Sequence, residues 1–184
     1  DTLAGASAHG ELRFGDTLTT TSFFTLVLDR TIESACTIDG VRLRGAHGNA
    51  GSIAHLTVDP GGQACTCGAL GCLAAYASAG ALEAEMNRPL RRATPSIVER
   101  SGIMLGRAIA SSAAVFDVST FVLSGVVVDT FGDVMLDTMR RELAARMRLT
   151  HLANLQVVEA SGFLQPLVGT AALIAGMAHA ELDG

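Results

Sequence analysis

Three cysteines and one histidine lie close together in a glycine-rich stretch, and this grouping constrains the fold more than any other feature of the chain. His55, Cys65, Cys67 and Cys72 supply one imidazole and three thiols within eighteen residues. Four glycines in the same stretch let the backbone turn tightly enough to direct the sulfur atoms inward. A structural zinc site requires four such donors in tetrahedral geometry. The pattern therefore predicts a zinc loop over residues 55–72.

Two other interpretations of these cysteines are open, namely a disulfide and small buried core residues. Cys65 and Cys67 are separated by one residue, which is too tight for an easy disulfide. Three cysteines in a glycine-rich loop are also poor core material, so zinc is favoured. Cys36 lies in a predicted strand, far from the others, and is more simply a core residue. Reduced thiols fit an intracellular protein, and we expect a cytoplasmic location.

The length and composition predict one soluble domain spanning residues 1–184. Hydrophobic residues make up 49% of the chain and charged residues 17%, which is enough apolar material for a packed core. No apolar run reaches the roughly 18 residues that a membrane span needs, so no membrane association is expected. The N-terminus lacks a signal-peptide pattern. The chain begins at Asp1 without a Met, so we expect it to be a fragment of a longer protein.

The charge balance argues against direct binding of duplex nucleic acid by this segment. The net charge is -5 and every basic residue is an arginine, whereas neutralising phosphates needs a basic surface. Arg88, Arg91, Arg92 and Arg100 do cluster, but a solvated face is the ordinary interpretation of such a run. With no Trp and one Tyr, aromatic platforms for stacking single strands are not expected either.

Hydrophobic periodicity predicts an α/β fold with a mixed sheet and packed helices. The first part of the chain is predicted to form a helix at 1–15, a hairpin from strands at 22–28 and 33–38, and a short strand around 55–58. The remainder is predicted to form helices at 73–86 and 95–116, a strand at 120–123, a helix at 130–148, a strand at 155–159 and a final helix at 166–179. A flexible connection is expected at 87–95.

The segment GAHGNAGSIAHLTVDPGGQACTCGALGCLAAYAS resembles the signature of the ROK family (repressor, open reading frame, kinase) without gaps, with the histidine and the three cysteines aligned. Weaker similarity covers GELRFG, LGRAIASSAAVFDVSTFVLSG and VGTAALIAG. Members are sugar kinases or sugar-responsive repressors with the two-lobed, ribonuclease H-like fold of actin, Hsp70 and hexokinase. The resemblance implies that this chain is the second lobe. The first lobe and any winged helix-turn-helix would then lie outside it.

The resemblance also implies that two sugar-binding carboxylates have been lost. Ser52 stands where the family has a glutamate three residues before the zinc histidine, and Ala74 stands where a second glutamate follows GCL. Ala54 replaces a family glycine. A carboxylate accepts two strong hydrogen bonds from a sugar diol, and neither serine nor alanine does so. His55 would keep its zinc role, while its sugar contact has lost these neighbours.

The catalytic base and the phosphate turn are the other two expected losses. Aligning Glu11 with the glutamate that ends the family's first helix motif puts Thr2 and Leu3 at the Asn-Asp pair, so Leu3 replaces the base. Using Asp1 instead would turn its side chain by about 200° around the helix. The phosphate turn, glycine-rich in the family, reads DRTIESA at 29–35 without any glycine. The family's LGG is preserved only in part, as LSG at 123–125.

These features predict the effector and dimerisation domain of a ROK-type transcriptional regulator, with structural zinc and no kinase activity. A homodimer or tetramer, a small-molecule effector and DNA contact only through a segment outside this chain are expected from the resemblance. The alternatives are an active, glucokinase-like ROK sugar kinase and a ROK-like interaction domain that does not bind DNA.

Overall fold

The computed structural model describes residues 2–14 and 20–160, which form a mixed five-stranded sheet with helices packed on it. The helices are α1 (Leu3–Phe14), α2 (Ala74–Ala77), α3 (Ala79–Met86), α4 (Pro95–Phe116) and α5 (Val126–Arg146). The strands are β1 (Phe23–Leu28), β2 (Ile32–Ile38), β3 (Val41–Arg42), β4 (Thr120–Ser124) and β5 (Gln156–Glu159). Short 3-10 helices cover Leu90–Arg92 and Thr150–Leu152. The predicted α/β class is confirmed.

The sheet order is β3-β2-β1-β4-β5, with β1 antiparallel to β2 and parallel to β4. The predicted hairpin is confirmed, and its register brings Leu28 opposite Ile32. Every residue of β1 is buried because the strand is covered on both faces. On one face Ala4 of α1 packs against Val27. On the other face the ring of Phe24 stacks on Phe121 with 5.5 Å between centroids.

Helices α4 and α5 cross closely because two glycines of α4 face the backbone of α5. A Cβ atom added at Gly102 would lie 2.5 Å from the carbonyl oxygen of Met135, and one added at Gly106 would lie 2.9 Å from that of Met139. A side chain at Gly102 or Gly106 would therefore push the two helices apart. The predicted helix at 95–116 is confirmed at both ends, and its N-terminal proline is well placed because the first turn needs no backbone donor.

Three predicted elements differ from those observed. The helix expected at 73–86 is two helices, because Ser78 adopts extended geometry (φ -91°, ψ 140°) and its hydroxyl accepts a hydrogen bond from Ala81 at the start of α3. The strand expected at 55–58 is wrong, since only an isolated bridge joins Thr57 to Cys72. Helix α5 starts at Val126 rather than residue 130 and is interrupted at Gly132, whose φ of 51° and ψ of -144° suit only glycine.

The connection at 87–95, expected to be flexible, contains the 3-10 helix Leu90–Arg92. Leu90 is buried, and its backbone amide donates a hydrogen bond of 2.9 Å to Glu83 Oε1. The helix predicted at 166–179 lies outside the described residues. Within the ranges 2–14 and 20–160, the helices are all too short or too polar to cross a bilayer.

Candidate metal centre and adjoining cleft

The four predicted metal ligands come together in the structure. One donor atom from each of His55, Cys65, Cys67 and Cys72 lies within 4.8 Å of the other three. The Cys65 Sγ atom is 3.5 Å from His55 Nδ1, and the Cys67 Sγ atom is 3.7 Å from Cys72 Sγ. Tetrahedral zinc with its usual bond lengths separates sulfur from nitrogen by about 3.6 Å and sulfur from sulfur by about 3.8 Å. The donor set is therefore compatible with structural zinc.

The disulfide alternative does not fit this geometry. A disulfide bond is about 2.05 Å long, so the 3.7 Å between the Cys67 and Cys72 sulfurs leaves both thiols free. Cys36 lies apart from the cluster, fully buried in β2, and burial raises the pKa of its thiol to about 11. A buried thiol with a raised pKa stays protonated and behaves as a small hydrophobic residue.

The metal loop (residues 55–72) is shaped by backbone hydrogen bonds that cross it. The amide of Val58 donates to Gly71 O at 2.8 Å, the amide of Gly71 to Gln63 O at 2.8 Å, and the amide of Cys65 to Ala69 O at 2.8 Å. Gly71 has a φ of 73°, and a Cβ atom there would overlap the carbonyl group of Asp59. Glycine is required at that position, which brings Cys72 back beside the start of the loop.

The thiols differ in exposure and in the ease with which each would lose its proton. Cys67 is exposed, and a hydrogen bond with the backbone of Ala69, followed by one with Cys65, lowers its pKa. Cys72 is 1% exposed, and burial, followed by the neighbouring thiols, raises its pKa to about 12. Three thiolates at this spacing repel one another, so a bound cation is what would allow all three to deprotonate together.

Sequence reasoning missed the residues that surround the metal loop. The hydroxyl of Tyr76 accepts a hydrogen bond from the Gln63 amide at 2.7 Å and donates one to Asp59 Oδ2 at 2.8 Å. Arg107, from α4, donates to the carbonyl oxygen of Val58 at 3.0 Å. A lone tyrosine in a chain without tryptophan was a weak signal. The approach of Arg107 depends on tertiary packing that no local pattern encodes.

A cavity of about 370 Å³ lies beside the metal loop, on the side of His55. Six alanines, including Ala54 and Ala74, line it together with Ile32, the polar residues Thr66 and Ser78, and the Arg30–Thr31 turn. No carboxylate is among the lining residues in the described part of the chain. The wall of this cavity is therefore mostly apolar.

Ser52, at the other expected sugar-binding position, is exposed and held by its neighbours. The hydroxyl of Ser34 donates to the carbonyl oxygen of Gly51 at 2.7 Å and accepts from the amide of Ile53 at 2.9 Å. Both peptide groups flanking Ser52 are thus fixed to β2. The two positions where carboxylates were expected to be lost carry a small hydroxyl and a methyl group.

A second cavity, of about 350 Å³, adjoins the first through Arg30 and Thr31. It is lined by Leu3, Val27, Asp29 and Glu33 as well as by that turn. Leu3, 40% exposed, lies here beside the glycine-free turn. The Glu33 carboxylate accepts a hydrogen bond of 2.7 Å from the backbone amide of Leu3 and a longer one of 3.4 Å from Ala4. A carboxylate of the protein therefore caps the N-terminus of α1.

The turn between β1 and β2 is also fixed to α3. The amide of Ala79 donates to Asp29 O at 2.8 Å, and the amide of Gly80 donates to Arg30 O at 3.1 Å. A Cβ atom at Gly80 would lie 2.8 Å from the Arg30 carbonyl oxygen, so the two segments touch through their backbones. The first amides of α3 are thus already hydrogen-bonded within the protein.

The model of the ROK family matches residues 2–176 of this chain. The xylose repressor of Bacillus subtilis (strain 168) is 24% identical over 159 residues, which cover 78% of this chain and 41% of the repressor. An N-acetylmannosamine kinase of Haemophilus influenzae (strain PittEE) is 25% identical over 139 residues, covering 67% of this chain and 46% of the kinase. The chain thus spans less than half the length of these curated relatives.

Solved structures with the same fold also include a kinase and a regulator. The ROK hexokinase from Thermus thermophilus matches with a TM-score of 0.77 and 29% identity over 93% of this chain and 62% of that one. A ROK family transcriptional regulator, a homolog of the E. coli MLC protein, matches with a TM-score of 0.79 and 22% identity over 93% of this chain and 50% of that one. With a family match that spans nearly every residue, this chain belongs to the ROK family.

Proposed function

We propose that this chain is the effector and dimerisation domain of a ROK-type transcriptional regulator, with structural zinc and no sugar-kinase activity. In this proposal the mixed sheet and its helices form the second lobe of a two-lobed fold like that of actin, Hsp70 and hexokinase. The xylose repressor relatives support the regulatory role. Kinase relatives match equally well, so the choice between the two depends on the site residues.

The observation that carries the proposal is the Glu33 carboxylate on the first amides of α1, beside Leu3. Phosphoryl transfer depends on positioned cationic or amide donors that stabilise the transferring phosphate. Here the helix N-terminus that could donate to an anion is already capped by a carboxylate. Asp29 and Glu33 line the same cavity with a single cation, Arg30, so the charge around it is negative on balance and disfavours phosphate. Leu3 offers no proton acceptor to activate a sugar hydroxyl.

The sugar-binding side of the cleft supports the same conclusion. Ala74 lines the apolar cavity and Ser52 lies exposed with both flanking peptides bonded to Ser34. A hexose needs several hydrogen bonds to offset the loss of its hydration. The polar side chains on this wall are Arg30, Thr31, His55, Thr66 and Ser78. None of them is a carboxylate that could accept two hydrogen bonds from a sugar diol, so a sugar complex of the family's kind would be weakened.

Zinc would be held by His55, Cys65, Cys67 and Cys72, and bound there it would supply a cross-link rather than chemistry. Four protein ligands complete a tetrahedral site and leave no open position for a substrate. The charge of the cation would offset the repulsion between the thiolates. The role of the site is then to fix the loop that forms one wall of the cleft.

We propose a cytoplasmic protein that assembles as a homodimer or tetramer and contacts DNA only through a segment outside this chain. The second candidate is an active ROK sugar kinase, favoured by the 29% identity to the Thermus thermophilus hexokinase. A ROK-like interaction domain without DNA binding is the third. A DNA-binding assay on the full-length protein, using the promoter region next to its own gene, separates the first from the third.

The direct test is a phosphorylation assay on the full-length, zinc-loaded protein with ATP and a panel of hexoses, hexosamines and pentoses. We expect no sugar phosphate above the background of a protein-free reaction. A related ROK kinase assayed in parallel shows that the conditions support turnover. Sugar-dependent product formation by the full-length protein would establish the kinase instead.

A further inference from the structure

The carboxylate of Asp59 contacts Tyr76 of α2 and Arg107 of α4, and Arg107 in turn contacts Glu142 of α5. We propose that Asp59, together with Tyr76 and Arg107, positions the four metal ligands and thereby sets the affinity of the loop for its metal. This inference rests on the proposed zinc site and adds the residues on which the geometry of that site depends. These three residues are called the brace below.

Tyr76 connects two points in the first half of the metal loop, Asp59 and Gln63, through one hydroxyl group. It accepts from the amide of Gln63 at 2.7 Å and donates to Asp59 Oδ2 at 2.8 Å. Tyr76 is 2% exposed, whereas the Asp59 side chain is 38% exposed, so the two bonds lie at a partly buried edge of the protein. A Cβ atom at Gly62 would overlap both the Tyr76 hydroxyl and the Asp59 carboxylate. The loop therefore packs directly against the phenol at Gly62 and Gln63, just before Cys65.

Arg107 joins the same turn of the loop, at Val58 and Asp59, to the two long helices. Its Nη1 atom donates to the carbonyl oxygen of Val58 at 3.0 Å and lies 3.8 Å from Asp59 Oδ1. Its Nε atom donates to Glu142 Oε1, on α5, at 3.2 Å. One guanidinium thus contacts a backbone carbonyl and a carboxylate in the loop and a second carboxylate on α5. A planar guanidinium donates in fixed directions, which favours a single arrangement of the three residues that it contacts.

Tyr76 is itself held in place by residues of α4, so the loop packs against a side chain whose position is fixed. The hydroxyl of Ser101 donates to the backbone carbonyl of Tyr76 at 2.6 Å. The guanidinium carbon of Arg100 lies 5.6 Å from the centroid of the tyrosine ring, within the range of a cation–π contact. The position of the phenol is thus set by the packing of α2 on α4 rather than by the metal loop.

The brace matters for metal binding because the metal-free loop must hold one nitrogen and three sulfurs within 4.8 Å of one another. Asp59 lies between the first ligand, His55, and the second, Cys65, and its carbonyl accepts the Gly62 amide at 2.9 Å. Without the Tyr76 and Arg107 contacts this turn can open, and metal binding then has to restore the order. Loss of residues that support metal ligands typically weakens metal affinity 10–100-fold.

The test measures zinc affinity in the full-length protein by competition with a chromophoric chelator. We expect Tyr76→Phe, which removes the shared hydroxyl, to weaken the affinity about 10–100-fold. Arg107→Met should weaken it as well, and Arg107→Lys should recover part of the loss because it keeps the charge. Arg140→Gln is the matched control, since it breaks an ion pair with Asp137 on the exposed side of α5 and should leave zinc affinity unchanged.

A purely structural role for the brace gives a different result. In that case Tyr76→Phe and Arg107→Met would lower the melting temperatures of metal-free and metal-loaded protein equally, with unchanged zinc affinity, and the proposal would be wrong. The absorption spectrum of the Co²⁺-substituted protein adds a second readout, and we expect altered ligand-field bands in Tyr76→Phe. A wild type that binds no zinc would refute the proposed metal site itself. If Tyr76→Phe does not fold, the comparison of Arg107→Met with Arg107→Lys still tests the proposal.

Discussion

The backbone amide of Leu3 donates a hydrogen bond of 2.7 Å to the carboxylate of Glu33, thirty residues further along the chain. Leu3 is the first residue of α1, and Glu33 lies in β2 directly after the hairpin turn. The contact joins the start of the first helix to the turn that, by the resemblance, corresponds to the phosphate turn of the family's kinases. The negative group at this helix N-terminus comes from the protein itself.

This contact should contribute to stability as a helix cap. We expect Glu33→Ala to lower the free energy of unfolding by about 1 kcal/mol, as for loss of a side-chain acceptor at a helix N-terminus, with Glu33→Gln intermediate because it retains an oxygen. Equilibrium urea denaturation measures the change. Asp29→Asn is the control, because the Asp29 side chain makes no hydrogen bond or ion pair within the described residues. Equal effects of Glu33→Ala and Asp29→Asn would refute the capping role.

Removing one metal thiol should lower both metal content and stability. We expect the wild type, purified without chelators, to contain one zinc ion per chain by elemental analysis, and Cys67→Ser to lose most of it. Because ligand binding to the folded state stabilises that state, the melting temperature should fall with the metal content. Cys36→Ala is the matched control, since it removes a buried thiol outside the cluster. Full zinc content in Cys67→Ser would contradict the ligand assignment.

Ordinary sugars should bind weakly to the full-length protein. Each hydrogen bond to a charged group contributes about 1.5–3 kcal/mol, so the absence of carboxylates at Ser52 and Ala74 should weaken a sugar complex ~100-fold or more. We expect glucose, N-acetylglucosamine and xylose to bind only at millimolar concentrations or not at all by calorimetry. The double variant Ser52→Glu, Ala74→Glu should recover part of the affinity. A micromolar response of the wild type to any of the three sugars would contradict this prediction.

The close crossing of α4 and α5 should not tolerate an added methyl group. Alanine at Gly106 raises helix propensity by about 1 kcal/mol, but its Cβ would lie 2.9 Å from both Met139 O and Glu142 Cβ. Overpacking of this kind costs about 1–3 kcal/mol, so we expect Gly106→Ala to be destabilising overall in urea denaturation. Ser111→Ala, at an exposed position of the same helix, should be neutral or stabilising. A more stable Gly106→Ala variant would show that the helices separate easily.

The stability of the metal-free protein should depend on pH through Glu85. The hydrogen bond from Arg100 lowers the pKa of this carboxyl below its ordinary value, against the opposing effect of burial. A depressed pKa in the folded state stabilises it above the ordinary pKa of about 4.3, and the contribution is lost as pH falls through the folded value. Between about pH 5 and 3, Glu85→Gln should therefore lose less stability than the wild type. Glu99→Gln, an exposed glutamate of α4, should behave like the wild type.

Features encoded by local chemistry could be predicted from the sequence. The proline at residue 95 and the apolar period that follows located α4 at both ends. The spacing of the cysteines located the metal cluster because its donors lie on one short loop. The break at Ser78 was missed because alanines surround it and the helix signal there is strong, whereas a serine hydroxyl caps a new helix. The contacts of Arg107 with Val58 and Asp59 join residues nearly fifty positions apart, which only the packing of α4 against the loop brings together.

The attachment of the β1–β2 turn to α3 limits the substitutions that the turn can accept. The amides of Ala79 and Gly80 donate hydrogen bonds to the carbonyl groups of Asp29 and Arg30, so the turn connects the hairpin to α3. Glycines substituted into the turn would add backbone freedom there and weaken this connection. Such a substitution would therefore lower the stability of the domain even where it exposes backbone amides to an anion.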